Sequence, residues 1–185
     1  TNCGPAGTAG DEETRALEVG ANRLLFLPGG PERLKALLDL IRGAKTTLRL
    51  LYYIYEPDRS GGRVRKALLD ALDRGVEVAL LVDGFGSASC PDDYFAELSK
   101  KGARFCRFHP NWGRRYLLRN HQKLALADAG SGAAKVMVGG FNIADDYFGS
   151  ARSDAWRDIG LIVEGEAASR LAPYFDELFD WATSK

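Results

Sequence analysis

Apolar positions along the chain alternate between two periods. A short apolar run from Arg23 to Leu27 ends at Pro28-Gly29-Gly30 and predicts a strand followed by a turn. Behind Pro31, which suits a first helical position, Leu34, Leu37, Leu38 and Ile41 fall at i, i+3, i+4 and i+7 before Gly43, so a helix is predicted. Thr46 to Tyr55 is too continuously apolar for a one-sided strand and should be buried on both faces. Val64, Ala67, Leu68, Ala71 and Leu72 form the stripe of a second helix closed by Gly75, and Val76 to Val82 is another buried strand. Strand, helix and strand with short joints make a βαβ unit, with parallel strands and a right-handed crossover. Its loops Tyr55 to Asp58 and Asp83 to Ser87 should face any active site.

Further along, the pattern predicts a helix over Asp92 to Lys101 and strands over Ala103 to Phe108, Asn120 to Ala127, Ala134 to Val138 and Ile159 to Val163. The turn Asp128 to Gly132 joins two of these strands as a hairpin. A final helix, Ala168 to Thr183, carries Leu171, Tyr174, Phe175, Leu178 and Ala182, and Pro173 should delay its start or kink it. Residues 1–20 have no apolar period and read as an arm or linker. The expected fold is therefore α/β, a mixed, mostly parallel β-sheet flanked by helices on both faces, with one domain over residues 21–185.

Composition narrows the function classes. With 45% apolar and 27% charged residues, the chain is globular and not disordered. Lys plus Arg and Asp plus Glu both number 25, so no global field recruits a polyanion, and any such site must be local. No apolar run approaches the roughly 18 to 20 residues of a spanning helix. Cys3, Cys90 and Cys106 are odd in number and without C-x-x-C spacing, which predicts neither a disulfide framework nor a zinc site and suits a reducing compartment. Two histidines, His109 and His121, offer no metal-ligating pattern, so an enzyme built from this chain should work without metal or other cofactor.

Positive charge is concentrated in one stretch. Lys100 to Lys123 holds eight Lys or Arg residues and both histidines, with no Asp or Glu between Glu97 and Asp128. Taken alone this is a solvated basic face. Its ending, Arg119-Asn120-His121-Gln122-Lys123-Leu124-Ala125-Leu126-Ala127-Asp128, is more specific. Strand period two places His121 and Lys123 on one face, with Leu124 and Leu126 on the other. An imidazole beside an ammonium suits a phosphate that must be both attacked and neutralised. Asp128 has the opposite parity and should anchor the turn. The next strand ends in Gly139-Gly140-Phe141-Asn142, where glycine lets backbone approach a ligand and the asparagine amide can donate to an oxyanion.

H-x-K-x-x-x-x-D followed by G-G-x-N resembles the signature of the phospholipase D superfamily, with His121, Lys123, Asp128, Gly140 and Asn142 in its positions. Tyr53-Ile54 with Glu56 and Asp58, Arg74-Gly75-Val76-Glu77-Val78, Val82-Asp83-Gly84-Phe85-Gly86-Ser87, Gly139 to Ala144 and Trp156-Arg157-Asp158 resemble the amino-terminal repeat of a bacterial cardiolipin synthase. Gln122 stands where an arginine is common in that branch. The resemblance implies that His121 attacks phosphorus to give a phosphohistidine and that Lys123 and Asn142 hold the non-bridging oxygens. It further implies that Asp158 orients His121 and that Arg119 and Gly140 contact substrate. No metal is implied.

The chain holds one copy of a motif that cardiolipin synthases carry twice. His109 lacks a lysine at +2 and is not the second copy. The implied function is a phosphatidyltransferase acting on phosphatidylglycerol, completed by a second phospholipase D-like repeat. That repeat would come from a carboxyl-terminal half or from a homodimer mate. The alternatives are a phospholipase D-type hydrolase, a metal-independent nuclease or phosphodiesterase acting as a homodimer, and a non-catalytic half-site module. Lipid substrates imply peripheral contact at the cytoplasmic face of a bacterial membrane. Phe85, Tyr94, Trp112, Tyr116 and Phe148 are candidates to line a tunnel or rest at the interface, while Trp156 and Trp181 are expected in the core or its rim.

Overall fold

The structure is a computed structural model and describes residues 15–108, 120–150 and 154–184. Arg119, His109, Trp112 and Tyr116 lie outside the described residues. The strands are β1 (Arg15–Val19), β2 (Asn22–Leu27), β3 (Thr47–Tyr52), β4 (Glu77–Asp83), β5 (Arg104–Phe108), β6 (Leu124–Ala127), β7 (Lys135–Gly139) and β8 (Gly160–Glu164). The helices are α1 (Gly30–Gly43), α2 (Arg59–Asp73), α3 (Ala96–Lys100, after a 3-10 turn at Asp92–Phe95), α4 (Glu166–Ser169) and α5 (Leu171–Thr183).

Among the described residues the strands form one sheet in the order β1-β2-β8-β7-β6-β3-β4-β5. The alternation predicted for the buried strands divides them between two cores. Leu50, Leu80 and Ala125 face α1, α2 and α3, burying Leu37, Leu38, Ile41, Val64, Leu68 and Leu98. Their neighbours Leu51, Leu81 and Leu126 face α4 and α5, against Ala168, Phe175 and Phe179. Helices cover both faces, as expected of an α/β chain.

The predicted balance of the mixed sheet needs correction. Only β3–β4 and β4–β5 pair in parallel, and the other five pairs, including β6 against β3, are antiparallel. A parallel pair needs a crossover long enough to carry the chain back, and between sheet neighbours α2 supplies it from β3 to β4 and the helical segment 92–100 supplies it from β4 to β5. The β6–β7 connection, 128–134, is a turn. The expected arm also ends early, because 15–19 form β1. All of β1 is exposed, so its pairing with β2 rests on backbone bonds that leave no apolar period in the sequence. Gly20, at φ 59, begins the two-residue loop between them. The last predicted helix is two, broken at Arg170. Pro173 falls in the first turn of α5, where no intrahelical N–H is needed.

The predicted strand Asn120 to Ala127 is paired only over its second half. Leu124–Ala127 register with β3 and β7, whereas residues 120–123 have no partner in either ladder. The Asn120 side chain instead accepts the Gln122 N–H at 3.1 Å, closing a local turn. At the other end of β6, Asp128 adopts φ 53. Its carboxylate accepts from the backbone N–H groups of Lys45 (3.0 Å), Thr46 (2.7 Å) and Thr47 (3.2 Å) and from the Thr46 hydroxyl (2.9 Å). Its own N–H returns a bond to the Thr47 carbonyl at 2.9 Å, which locks the register of β6 on β3.

Burial raises the Asp128 carboxyl pKa, but the hydrogen bonds from Thr46, Lys45 and Thr47 outweigh it, and the net shift is downward. A depressed folded pKa stabilises the fold above the unfolded carboxyl value of about 3.9. That stabilisation is lost as pH falls from there through the folded value. Asp128→Ala should cost about 3 kcal/mol in urea unfolding, because it orphans three backbone donors. Asp128→Asn, which tolerates the left-handed backbone, should flatten the loss of stability below about pH 4.

Candidate functional site

The site assembles where strand ends of opposite direction meet. β3 and β4 finish there and β7 ends there, while β6 and β8 begin there. His121 and Lys123 therefore precede β6, Asn142 follows β7 and Asp158 precedes β8, all at one edge of the sheet.

Lys123 is only 5% exposed, whereas His121 beside it is open to solvent. The irregular backbone at 120–123 thus gives the pair different burial in place of one shared strand face. They meet because the Lys123 ammonium turns back, donating to the His121 carbonyl and lying 3.1 Å from His121 Nδ1. Burial lowers the Lys123 pKa, and the Asp158 carboxylate works in the opposite direction. Tyr53, just past β3, completes the pocket. Its ring centroid is 4.5 Å from that of His121 and 5.3 Å from Lys123 Nζ.

Asn142 is buried, and its side-chain oxygen accepts the Ile54 N–H at 3.0 Å. That bond commits the oxygen to the protein and leaves Nδ2 as a donor. The stretch after β3 continues to pair with the stretch after β7, through Ile143 N–H to the Ile54 carbonyl (3.1 Å) and Glu56 N–H to the Ile143 carbonyl (2.9 Å). Asn142 and Tyr53 are thereby tied to one short ladder.

Gly140 makes room for the Asp158 carboxylate. A Cβ there would lie 2.7 Å from Asp158 Oδ2, and its N–H donates to Asp158 Oδ1 at 3.2 Å. Asp158 Oδ1 also accepts the Ile159 N–H at 2.7 Å. The expectation that Asp158 orients His121 is not met: among the described residues no hydrogen bond joins them. Two strand positions separate the starts of β8 and β6, and the short carboxylate is held by backbone on its own side. His121 is placed instead by Lys123 and Tyr53.

Asp83, for which no individual role was expected, is buried where β4 ends. Its Oδ1 accepts the N–H groups of Phe85 (2.9 Å) and Gly86 (3.0 Å), and its Oδ2 accepts that of Asn120 at 3.3 Å. Ser87, four residues on, accepts the Tyr55 N–H at 3.0 Å and donates to the Tyr53 carbonyl at 3.1 Å. The Val82 to Ser87 motif therefore braces both the His121 segment and Tyr53. A charged residue ending a buried strand was the available signal.

Of the candidate interfacial aromatics, Phe85 is exposed, Tyr94 packs edge-on against Tyr55 and Phe95, and Phe148 is buried against Phe141. Trp156 and Trp181, expected in the core or rim, are 66% and 45% exposed. Among the described residues no group of three His, Cys, Asp or Glu side chains is placed to hold a metal ion, and no helix is long and apolar enough to cross a membrane.

Residues 37–181 match the family described as cardiolipin synthase, PLD-like domain. The chain is 33% identical over 165 residues to the major cardiolipin synthase ClsA of Bacillus subtilis, covering 86% of this chain and 33% of that protein. It is 34% identical over 173 residues to a cardiolipin synthase of Oceanobacillus iheyensis, covering 90% and 34%. The chain thus spans about a third of the length of these relatives. In fold it is similar to Nuc of Salmonella typhimurium, a phospholipase D family member (TM-score 0.59, 21% identity, 88% of this chain and 93% of that one). It is also similar to the phosphatidylserine synthase of Haemophilus influenzae (TM-score 0.65, 16% identity, 89% and 38%). The family match over most of the chain, together with these identities, means that the chain belongs to the cardiolipin synthase, phospholipase D-like domain family.

Proposed function

We propose that the chain supplies one half of the active site of a phosphatidyltransferase of cardiolipin synthase type. The observation that carries this is the buried Lys123 ammonium held against the exposed His121 imidazole, at the strand edge that also receives Asn142. A phosphodiester entering there would draw Lys123 Nζ and Asn142 Nδ2 onto its non-bridging oxygens, as charge-assisted bonds favour. His121 attacks phosphorus of phosphatidylglycerol. A His–P bond forms, the bond from phosphorus to the headgroup glycerol oxygen breaks, and the histidine of a second motif protonates the leaving alkoxide. A hydroxyl of a second phosphatidylglycerol then attacks phosphorus, returns its proton to that second histidine and frees His121, giving cardiolipin. Asp128, spent on the start of β3, acts through the scaffold. Asp158 acts through the charge of Lys123.

The second motif comes from a carboxyl-terminal repeat, since the chain spans a third of its curated relatives. A second copy of this chain is the other reading, favoured by its coverage of 93% of the Nuc chain. We place the reaction at the cytoplasmic face of the membrane, by peripheral contact, where both lipids are at hand.

With the second repeat present and chelator in the buffer, phosphatidylglycerol vesicles should yield cardiolipin and glycerol in equal amounts. A sample quenched in detergent at neutral pH should carry a phosphatidyl adduct on His121, read by mass spectrometry. His121→Ala should abolish the adduct and lower turnover by at least about 10³-fold. Undiminished turnover in that variant refutes the assignment, and phosphatidic acid in place of cardiolipin makes the enzyme a hydrolase.

Lys123 holds phosphate only while charged. Because burial depresses its pKa, phosphate affinity should fall on the alkaline side at lower pH than for an ordinary lysine. Removing the carboxylate that supports the charge should move the transition further the same way. A ¹³Cε titration of Lys123 should thus give a lower pKa in Asp158→Asn than in the parent chain, with the alkaline limb of the rate shifted in step. An unchanged or raised value would separate Asp158 from the phosphate site.

A further inference from the structure

Beside His121 lies a cleft of about 310 Å³ to which the transfer chemistry assigns no occupant. Its floor is Asn120, His121 and Gln122, the irregular stretch before β6. Its wall is α5, which presents Tyr174, Leu178 and Trp181, with Phe108 at the end of β5 beside them. The helix residues fall at i, i+4 and i+7, on one stripe. Phe175 and Phe179 of the same helix are the ones buried against the sheet. Leu178 packs partly against that core, while the aromatic residues at either end of the stripe stay open, with Tyr174 39% and Trp181 45% exposed. Trp181 rests on Phe108 with ring centroids 5.5 Å apart.

Charge decides what kind of group fits. The helix from Leu171 to Thr183 carries Asp176, Glu177 and Asp180 and neither Lys nor Arg. Asp176 is spent on Arg49, and Glu177 and Asp180 are exposed. A polyphosphate or nucleic-acid backbone continuing from His121 along this wall would meet carboxylates with no helix cation to offset them. A neutral, apolar group meets no such repulsion. The floor adds one polar feature. The Tyr174 hydroxyl donates to Gln122 Oε1, which leaves Gln122 Nε2 as a donor suited to a carbonyl.

We propose that this cleft seats the ester end of the phosphatidyl group, the acylated glycerol and the first methylenes of its chains, during attack by His121. The assignment rests on the phosphatidyl-transfer reading and adds to it the residues that hold the half of the lipid which stays on the enzyme. Each methylene seated contributes roughly fourfold in affinity, so a short-chain lipid should already be distinguished from its deacylated headgroup.

The test uses the 185-residue chain carrying His121→Ala, so that binding is read without turnover. It is titrated by NMR with dihexanoyl-phosphatidylglycerol below its micelle concentration and, separately, with glycerophosphoglycerol. The lipid should bind at least about tenfold more tightly and shift the Trp181 indole and Leu178 methyl signals, while the deacylated compound leaves both in place. Trp181→Ala and Tyr174→Ala, both at exposed positions, should each remove most of that preference and keep the binding of glycerophosphoglycerol. Equal affinity for the two compounds overturns the proposal, as do lipid-induced shifts confined to Trp156 and Phe85. Concentration-dependent Trp181 shifts without ligand also overturn it and assign the cleft to a second copy. Lipid-selective binding at Trp181 in a chain whose complete enzyme makes no cardiolipin would refute the transfer reading alone.

Discussion

A lysine only 5% exposed to water is the costliest residue to bury at the functional edge, and the arrangement around it follows from that cost. Lys123 gives up hydration for a carbonyl, an imidazole nitrogen, the face of Tyr53 and the field of Asp158. Each compensating group is held in turn by backbone. Tyr53 is fixed through Ser87 and the short ladder to Ile143, and Asp158 through the N–H groups of Gly140 and Ile159. Replacing hydration with fixed dipoles is what a phosphate-binding cation requires, because a substrate oxygen then competes with weak partners instead of bulk water.

Asp128 performs the complementary task at the far end of β6. Its carboxylate gathers three backbone donors at the start of β3 and so sets the register that places Lys123 just past the paired region. A one-residue slip would exchange Leu124 and Leu126 with Ala125 between the two cores. Lys123 would then face the wrong layer. Signature residues at the two ends of one four-residue strand thus act on different links of the same chain, one on chemistry and one on the geometry that supports it.

Much of this was legible in the sequence where local pattern and burial agree. The βαβ unit, the doubly buried β3 and β4 and the anchoring of the turn by Asp128 all follow from periodicity or motif. Strand direction was less legible, since β6, β7 and β8 have the same apolar content whichever way they run, and only connection length distinguishes them. The split after residue 123 was hidden because Asn120 to Lys123 keeps a strand-like alternation although it has no partner in either ladder. Asp158 was placed against the wrong partner for a similar reason: a motif orders residues along the chain, while a carboxylate's reach depends on how many strands lie between.

The resting contact between Lys123 and His121 carries a mechanistic consequence. An ammonium has no acceptor capacity, so Nδ1 must accept from it, and in the neutral ring the imidazole proton then sits on Nε2. One nitrogen is capped and the other protonated, so the ring is not yet a nucleophile. In the proposed transfer, a phosphate oxygen that draws Nζ away would release Nδ1, the unprotonated nitrogen, for attack. On the proposed reading that order, phosphate first and imidazole second, would tie activation of the nucleophile to occupancy of the anion site. Such a site gains nothing from a globally positive surface, and a chain with equal numbers of acidic and basic residues can carry it without recruiting other polyanions.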